Sequence, residues 1–176
     1  MPIPGDAPAR PAESGDTVIR AGRDGDADGL IALIGGCYAE YPGCVLDVDG
    51  EIPELRAIAS HFAGRDGRFW VVETGGRVVG CVGAAPARSP ATVELLKLYV
   101  DHTARDRGLG RRLVGLVEDE AARRRAAAVE LWTDTRFHTA HRLYERLGYA
   151  RQPATRALHD LSGSVEFHYR KRLGGG

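Results

Sequence analysis

The sequence predicts a mixed α/β domain, a twisted sheet of parallel and antiparallel strands with helices on both faces. Three observations carry that expectation. Apolar spacing along the chain gives the element order βααβββαβαββ. The run Thr92-Val-Glu-Leu-Leu-Lys-Leu-Tyr-Val100 is nearly continuously apolar, as a central buried strand should be. Strand–helix–strand units across 92–135 imply parallel pairing, whereas hairpins on either side imply antiparallel pairing.

The elements follow in order. Residues 1–16 hold four of the nine prolines and almost no large apolar side chains, so they read as a disordered leader. Thr17-Val-Ile-Arg-Ala is a short strand, and Asp24-Gly-Asp-Ala-Asp supplies turn and helix-cap chemistry. Leu30, Ile31, Ile34, Tyr38 and Tyr41 recur at helical spacing until Pro42-Gly43 stops the helix. Leu55, Ile58, Ala59 and Phe62 mark a second helix. Arg68–Glu73 and Arg77–Val82 flank Thr74-Gly-Gly and form a hairpin. A glycine turn at 108–110 leads into a helix with Leu109, Leu113, Leu116 and Val117 on one face. Ala128–Thr133 is a strand, and Ala140, Leu143, Tyr144 and Leu147 mark a last helix closed by Gly148. Strands near 149–158 and 165–172 complete the domain over 17–173, and 174–176 is expected to fray.

The chain's 176 residues suit one domain. With 24 basic and 24 acidic side chains its net charge is zero, which argues against a general nucleic-acid binder. That zero conceals a split: residues 1–100 carry 9 basic and 14 acidic groups, residues 101–176 carry 15 and 10. Such halves suit either a bipartite site, cation on one side and anion on the other, or merely two solvated surfaces. Three cysteines without a CxxC pair make a disulfide framework improbable. Met1-Pro-Ile-Pro-Gly-Asp has neither the basic nor the apolar region of a secretory signal, and no apolar run spans a bilayer. A cytoplasmic protein with no membrane partner is the expectation.

The most informative segment is Leu98-Tyr-Val-Asp-His-Thr-Ala-Arg105-Asp-Arg-Gly108-Leu-Gly110-Arg-Arg. Two glycines between a strand and a helix let backbone approach a ligand, and the helix start aims free N–H groups and a positive dipole end at it. Arg105, Arg107, Arg111 and Arg112 add charge, a combination suited to a pyrophosphate. The dinucleotide fingerprint fails because Leu113 stands where its third glycine belongs. The P-loop fails because the chain has no Gly-Lys pair.

Arg105-Asp-Arg-Gly108-Leu-Gly110 matches the pattern [Q/R]-x-x-G-x-[G/A], and Ala140-His-Arg-Leu-Tyr144-Glu-Arg-Leu-Gly-Tyr149 matches A-x-x-h-Y-E-x-x-G-[F/Y]. By these two motifs, and by its element order over 17–173, the chain resembles the GCN5-related N-acetyltransferases (GNAT). The resemblance implies acetyl-CoA as co-substrate, an amine acceptor and, as often in the family, a homodimer. It implies that backbone at Leu98 and Val100 pairs with the pantetheine arm, the Val100 N–H serving the thioester carbonyl. Amides of Arg107, Gly108, Leu109, Gly110 and Arg111 would hold the pyrophosphate. Phe137 departs from the Asn common in the family, with Thr133, Asp134 or His138 as substitutes for its role.

Acetyl transfer to an amine needs a base for the ammonium proton and a donor for the departing thiolate. Glu94 interrupts the apolar strand eleven residues before Arg105 and occupies the place of a catalytic glutamate in several family members. Strand alternation puts it on one face with Leu96, Leu98 and Val100, and burial there would raise its pKa. It could equally be a strand-end carboxylate paired with Lys97 or Arg77. Tyr144 matches the family's general acid, and otherwise reads as a core aromatic. Asp47, with Tyr38 and Tyr41, lies where the family builds its acceptor site and suits an anionic, aromatic amine pocket, or else a solvated loop. His138 and His141 lack further ligands at clear spacing, so no metal is expected. A rival reading is a non-catalytic acyl-CoA-binding domain that keeps the cradle without the chemistry.

Overall fold

The computed structural model describes residues 16–174. The leader expected over 1–16 lies outside these residues except for Asp16, and of the 174–176 tail only Gly174 is described. Seven strands and four α-helices appear in the anticipated order: β1 (Thr17–Ala21), α1 (Ala27–Ala39), α2 (Ile58–Gly64), β2 (Arg68–Thr74), β3 (Arg77–Pro86), β4 (Thr92–Val100), α3 (Leu109–Arg123), β5 (Ala128–Asp134), α4 (His138–Arg146), β6 (Ala150–Ala157) and β7 (Val165–Arg172). They form one sheet, ordered β1-β2-β3-β4-β5-β7-β6. Only β4 and β5 run parallel; the other neighbours are antiparallel.

Apolar side chains alternate across this sheet into two cores. On one face Leu30, Leu33, Ile34, Leu55, Ile58 and Phe62 of the first two helical segments cover Val71 and Cys81. On the other, Leu109, Leu113, Val114 and Val117 of α3 and Tyr144 of α4 cover Val82, Val93, Leu95, Val129 and Leu131. Val93, Leu95, Val129 and Leu131 are at most 4% exposed, which is the burial their nearly unbroken apolar runs require. The β2–β3 hairpin turns on Gly75 and Gly76, both at positive φ, as a tight two-residue turn with the right twist demands.

One departure from simple alternation decides the site. Cys81 opposes Tyr99 but Gly83 opposes Leu96, so β4 carries one extra residue against Val82. Lys97 sits in this bulge with φ +51°. A period-two face therefore switches at Lys97. Val93 and Leu95 pack toward α3, Leu96 and Tyr99 toward α1, and Leu98 and Val100 toward α3 again. The expectation that Glu94 shares a face with Leu98 and Val100 is corrected: it shares one with Leu96 and Tyr99, and the inserted residue turns Leu98 and Val100 to the opposite side.

Candidate active site

β4 and β5 part company in mid-sheet. Their pairing runs from Thr92↔Ala128 to Leu95↔Leu131 and stops there. β4 then continues through its bulge to Val100 against β3, while β5 follows β7 through Trp132↔His168, Thr133↔Phe167 and Asp134↔Glu166. The cleft between them is lined by Lys97, Leu98, Trp132, Thr133, Ala140 and Tyr144, among others. Asp101 donates its backbone N–H to the Val79 carbonyl at 2.9 Å. By backbone alternation Val100 turns its own N–H and carbonyl away from β3, toward the gap.

Below the cleft, α3 begins at Gly108, which is left-handed at φ +73°. A non-glycine residue would be strained at that angle. The first bond of the helix runs from the Arg112 N–H to the Gly108 carbonyl at 3.0 Å. The preceding amides of the first turn have no partner within the helix, as at any helix start. Gly110 abuts α4, where a Cβ would stand 2.9 Å from Leu143 Cδ2. The start of α3 thus packs against the body of α4, whose Ala140 and Tyr144 line the gap. Arg107, Arg111 and Arg112 are exposed. None of the three forms an ion pair among the described residues. Amides and cations at one helix start suit a polyphosphate.

Arg105 is differently employed. It donates to both carboxylate oxygens of Glu40 at 2.6 and 2.7 Å and through Nε to the Val100 carbonyl at 3.0 Å. It therefore clamps the end of α1 to the end of β4, and its guanidinium is occupied before any phosphate arrives. Cys37 Sγ also lies 3.6 Å from that carbonyl. Burial pushes the Cys37 thiol up to about 11 and the Cys81 thiol up to about 12, which disfavours either as a nucleophile.

Tyr144 is buried and lines the cleft, and its hydroxyl has no hydrogen-bond partner among the described residues. Burial pushes its proton affinity well above that of an ordinary phenol. Glu94 is half-buried on the α1 face, and burial raises its carboxyl above the usual range. Neither Lys97 nor Arg77 pairs with it: Lys97 binds Glu54 at 2.8 Å, and Arg77 approaches Asp101.

The other mouth of the cleft is aromatic. Tyr38 and Tyr99 bring their hydroxyls to 3.4 Å, and Phe137 packs on Tyr41 at 4.9 Å between ring centres and on Tyr38 at 6.1 Å. Phe137 thus extends a wall of tyrosines in place of a polar side chain. Thr133 and Asp134 line the cleft, but Asp134 is held by Arg136 at 2.6 Å, and His138 is exposed outside it. The segment between β6 and β7 closes the rim. Ser162 Oγ accepts from the Val45 N–H at 2.8 Å and donates to its carbonyl at 3.2 Å. The Leu161 N–H donates to the Glu51 carboxylate.

Asp47 lies away from the cleft lining; its carboxylate accepts the Gly50 N–H at 3.0 Å and shapes that turn. A Cβ on Gly50 would meet that same carboxylate, which would have to swing aside. The structure therefore gathers Tyr38, Leu98 and Tyr144 at the cleft. Tyr41 stands behind Phe137, Arg105 acts as a clamp and Asp47 as a turn. Trp132, Ser162 and the bulge at Lys97 were not foreseen. A charged residue inside an apolar strand was the available signal for the bulge; nothing local marked Ser162.

A family model described as the acetyltransferase (GNAT) family matches residues 36–149. The chain belongs to that family. N-acetyltransferase family 8 member 2 of Rattus norvegicus is 32% identical over 100 residues, covering 54% of this chain and 44% of the relative. N-acetylaspartate synthetase of Homo sapiens is 38% identical over 87 residues, covering 49% and 29%. The chain thus spans less than half the length of either relative. In fold, a GNAT acetyltransferase from Staphylococcus aureus Mu50 superimposes with a TM-score of 0.76 at 20% identity, covering 90% of this chain and all of that one. PaiA N-acetyltransferase from Thermoplasma acidophilum, solved with coenzyme A, does so at 0.68 and 16% identity, covering 90% and 99%.

Proposed function

We propose that this chain transfers an acetyl group from acetyl-CoA to the primary amine of a small molecule, amino acid or peptide, by direct attack within a ternary complex. The observation that carries the reading is the gap between β4 and β5, lined by Leu98, Tyr144 and the aromatic Tyr38, Tyr99 and Phe137, with the free amides of the α3 start on a helix packed against α4, which lines that gap. Acetyl-CoA supplies the activated thioester. The amides at 108–111 and the free Arg107, Arg111 and Arg112 suit its phosphates. Leu98 and Val100 suit the extended arm, with the Val100 N–H aimed at the carbonyl that gains charge; Arg105 already holds the Val100 carbonyl, so only the donor is on offer.

The bulge at Lys97 gives the two sides of the reaction separate faces. Leu98 and Val100 serve the cofactor side, while Glu94, outside the cleft lining itself, stands on the sheet face that α1 covers, the side from which an amine would enter. There Glu94 takes the ammonium proton, alone or through water. Tyr144 keeps its proton through the physiological range and can donate it to the departing sulfur. The −5 charge of the first hundred residues suits a cationic acceptor, and Tyr38, Tyr41 and Phe137 give that acceptor an apolar wall.

Thiol release from acetyl-CoA, measured across amines, amino acids, aminoglycosides and peptides, tests the proposal. Release with at least one class supports it. Silence across the set with intact CoA binding would overturn it in favour of a non-catalytic acyl-CoA-binding domain.

A further inference from the structure

β4 and β5 pair in parallel with Glu94 opposite Glu130. Registered residues of parallel strands project from the same face, and neighbouring strands lie about 4.8 Å apart. Two carboxylates therefore stand side by side on the acceptor face, and they differ in what holds them. Glu130 is 7% exposed and accepts from Arg170 at 3.2 Å and from Ser89 Oγ at 3.3 Å. Arg170 also reaches Thr92 Oγ1 at 3.4 Å, so the Glu130 carboxylate is tied to the start of β4. His168 Nε2 stands 3.6 Å from Glu130, buried and without a hydrogen-bond partner, its ring lying flat on Trp132 at 4.5 Å and 10°. Glu94 has neither ion pair nor hydrogen bond among the described residues.

We infer that Glu130 is a positioning residue for Glu94, a carboxylate pinned in register on the next strand whose negative charge readies its neighbour to accept a proton. The inference rests on the reading of Glu94 as the base. Two like charges on registered neighbours disfavour simultaneous ionisation, and the member without a cationic or hydrogen-bonding partner takes the proton. Every element around Glu94 contributes. Arg156 on β6 and Arg65 beyond α2 favour its ionised form; Glu130 on β5 and Glu166 on β7 favour the protonated one. From β3, Ala85 faces it across the register and brings no charge. Arg156 is paired with Glu166, which offsets only part of its pull on Glu94, and Arg65 is exposed. Behind burial, and against the larger pull of Arg156 and Arg65, Glu130 is the foremost charge that favours the protonated form of Glu94.

The side-chain carboxyls of the full chain, labelled with 13C-glutamate, can be titrated by NMR, with Glu94→Gln assigning the resonance. In Glu130→Gln the Glu94 midpoint is expected to fall by ~0.5 unit, the scale of one partly screened neighbouring charge. In Glu130→Asp, which keeps the charge, it should stay within ~0.2 unit of the parent. Arg170→Gln, which uncovers the Glu130 charge, should move the midpoint the opposite way and keeps the test alive if Glu130→Gln does not fold. An unmoved midpoint in Glu130→Gln or Arg170→Gln, or equal shifts in Glu130→Gln and Glu130→Asp, would overturn the inference. The titration needs no acceptor, so its failure leaves the acetyltransferase reading intact. Conversely, silence in thiol release with the expected midpoints overturns that reading alone.

Discussion

Replacing Arg105 with Ala separates its role as a clamp from its role as a phosphate ligand. The guanidinium makes two bonds to Glu40 and one to the Val100 carbonyl, and the paired side chains are 26% and 31% exposed. Hydrogen bonds to charged groups contribute roughly 1.5–3 kcal/mol when sheltered, whereas exposed ion pairs contribute about 0–1 kcal/mol. At this intermediate exposure the Arg105–Glu40 coupling should be about 1 kcal/mol, with about 1 kcal/mol more for the Val100 carbonyl that Arg105→Ala leaves to Cys37 alone. A total near 2 kcal/mol corresponds to a fall in Tm of roughly 4–8 °C for a chain of this size. Urea unfolding of the parent, Arg105→Ala, Glu40→Ala and the double variant closes the cycle, and calorimetry with CoA runs alongside. Both single variants should lose stability and the double should lose less than their sum. If the losses add within ~0.3 kcal/mol, and only Arg105→Ala loses CoA affinity, Arg105 is a phosphate ligand and the clamp argument is wrong.

Two further outcomes are expected. Tyr144→Phe should lower kcat on the order of 10²-fold, the scale of a lost general acid, while CoA affinity stays within about twofold because the ring still fills its place; a parallel fall in both would make the residue packing alone. Glu120 is buried and holds Arg123, Arg124 and Arg68, Arg123 foremost, which keeps its carboxyl below its ordinary 4.5, down to about 2. A depressed carboxyl stabilises the fold above its unfolded value and loses that contribution as pH falls from about 4.5 toward 2. The urea-midpoint gap between the parent and Glu120→Gln should therefore be wide at pH 6 and narrow at pH 3; an equal gap at both would refute the linkage.

Much of this was legible in the chain before folding. Helix and strand order followed from apolar spacing because each element buries a face whose period is local. Gly108 and Gly110 were legible for a related reason: a left-handed cap favours glycine, and a residue without a side chain lets the start of α3 lie close against Leu143 of α4. Boundaries drifted only slightly, as where the second helix is entered through a 3₁₀ turn at Pro53–Ala57. The sequence by itself thus determined the mixed sheet, its two covering layers and the glycine turn that starts α3.

Only the tertiary structure decided which way those residues look. Arg105 sits in the motif, but its partner Glu40 is 65 positions away and nothing local announces it. Asp47 serves its own turn, while Ser162, distant in sequence, closes the mouth through Val45. Above all, the extra residue at Lys97 reverses the faces of β4. Alternation is a rule of two, so one inserted residue puts Glu94 on the α1 face and Leu98 with Val100 on the α3 face. The same parallel register sets Glu130 beside Glu94. Side-chain types are written along the chain, but their facing depends on strand register, and register is settled only when distant strands meet.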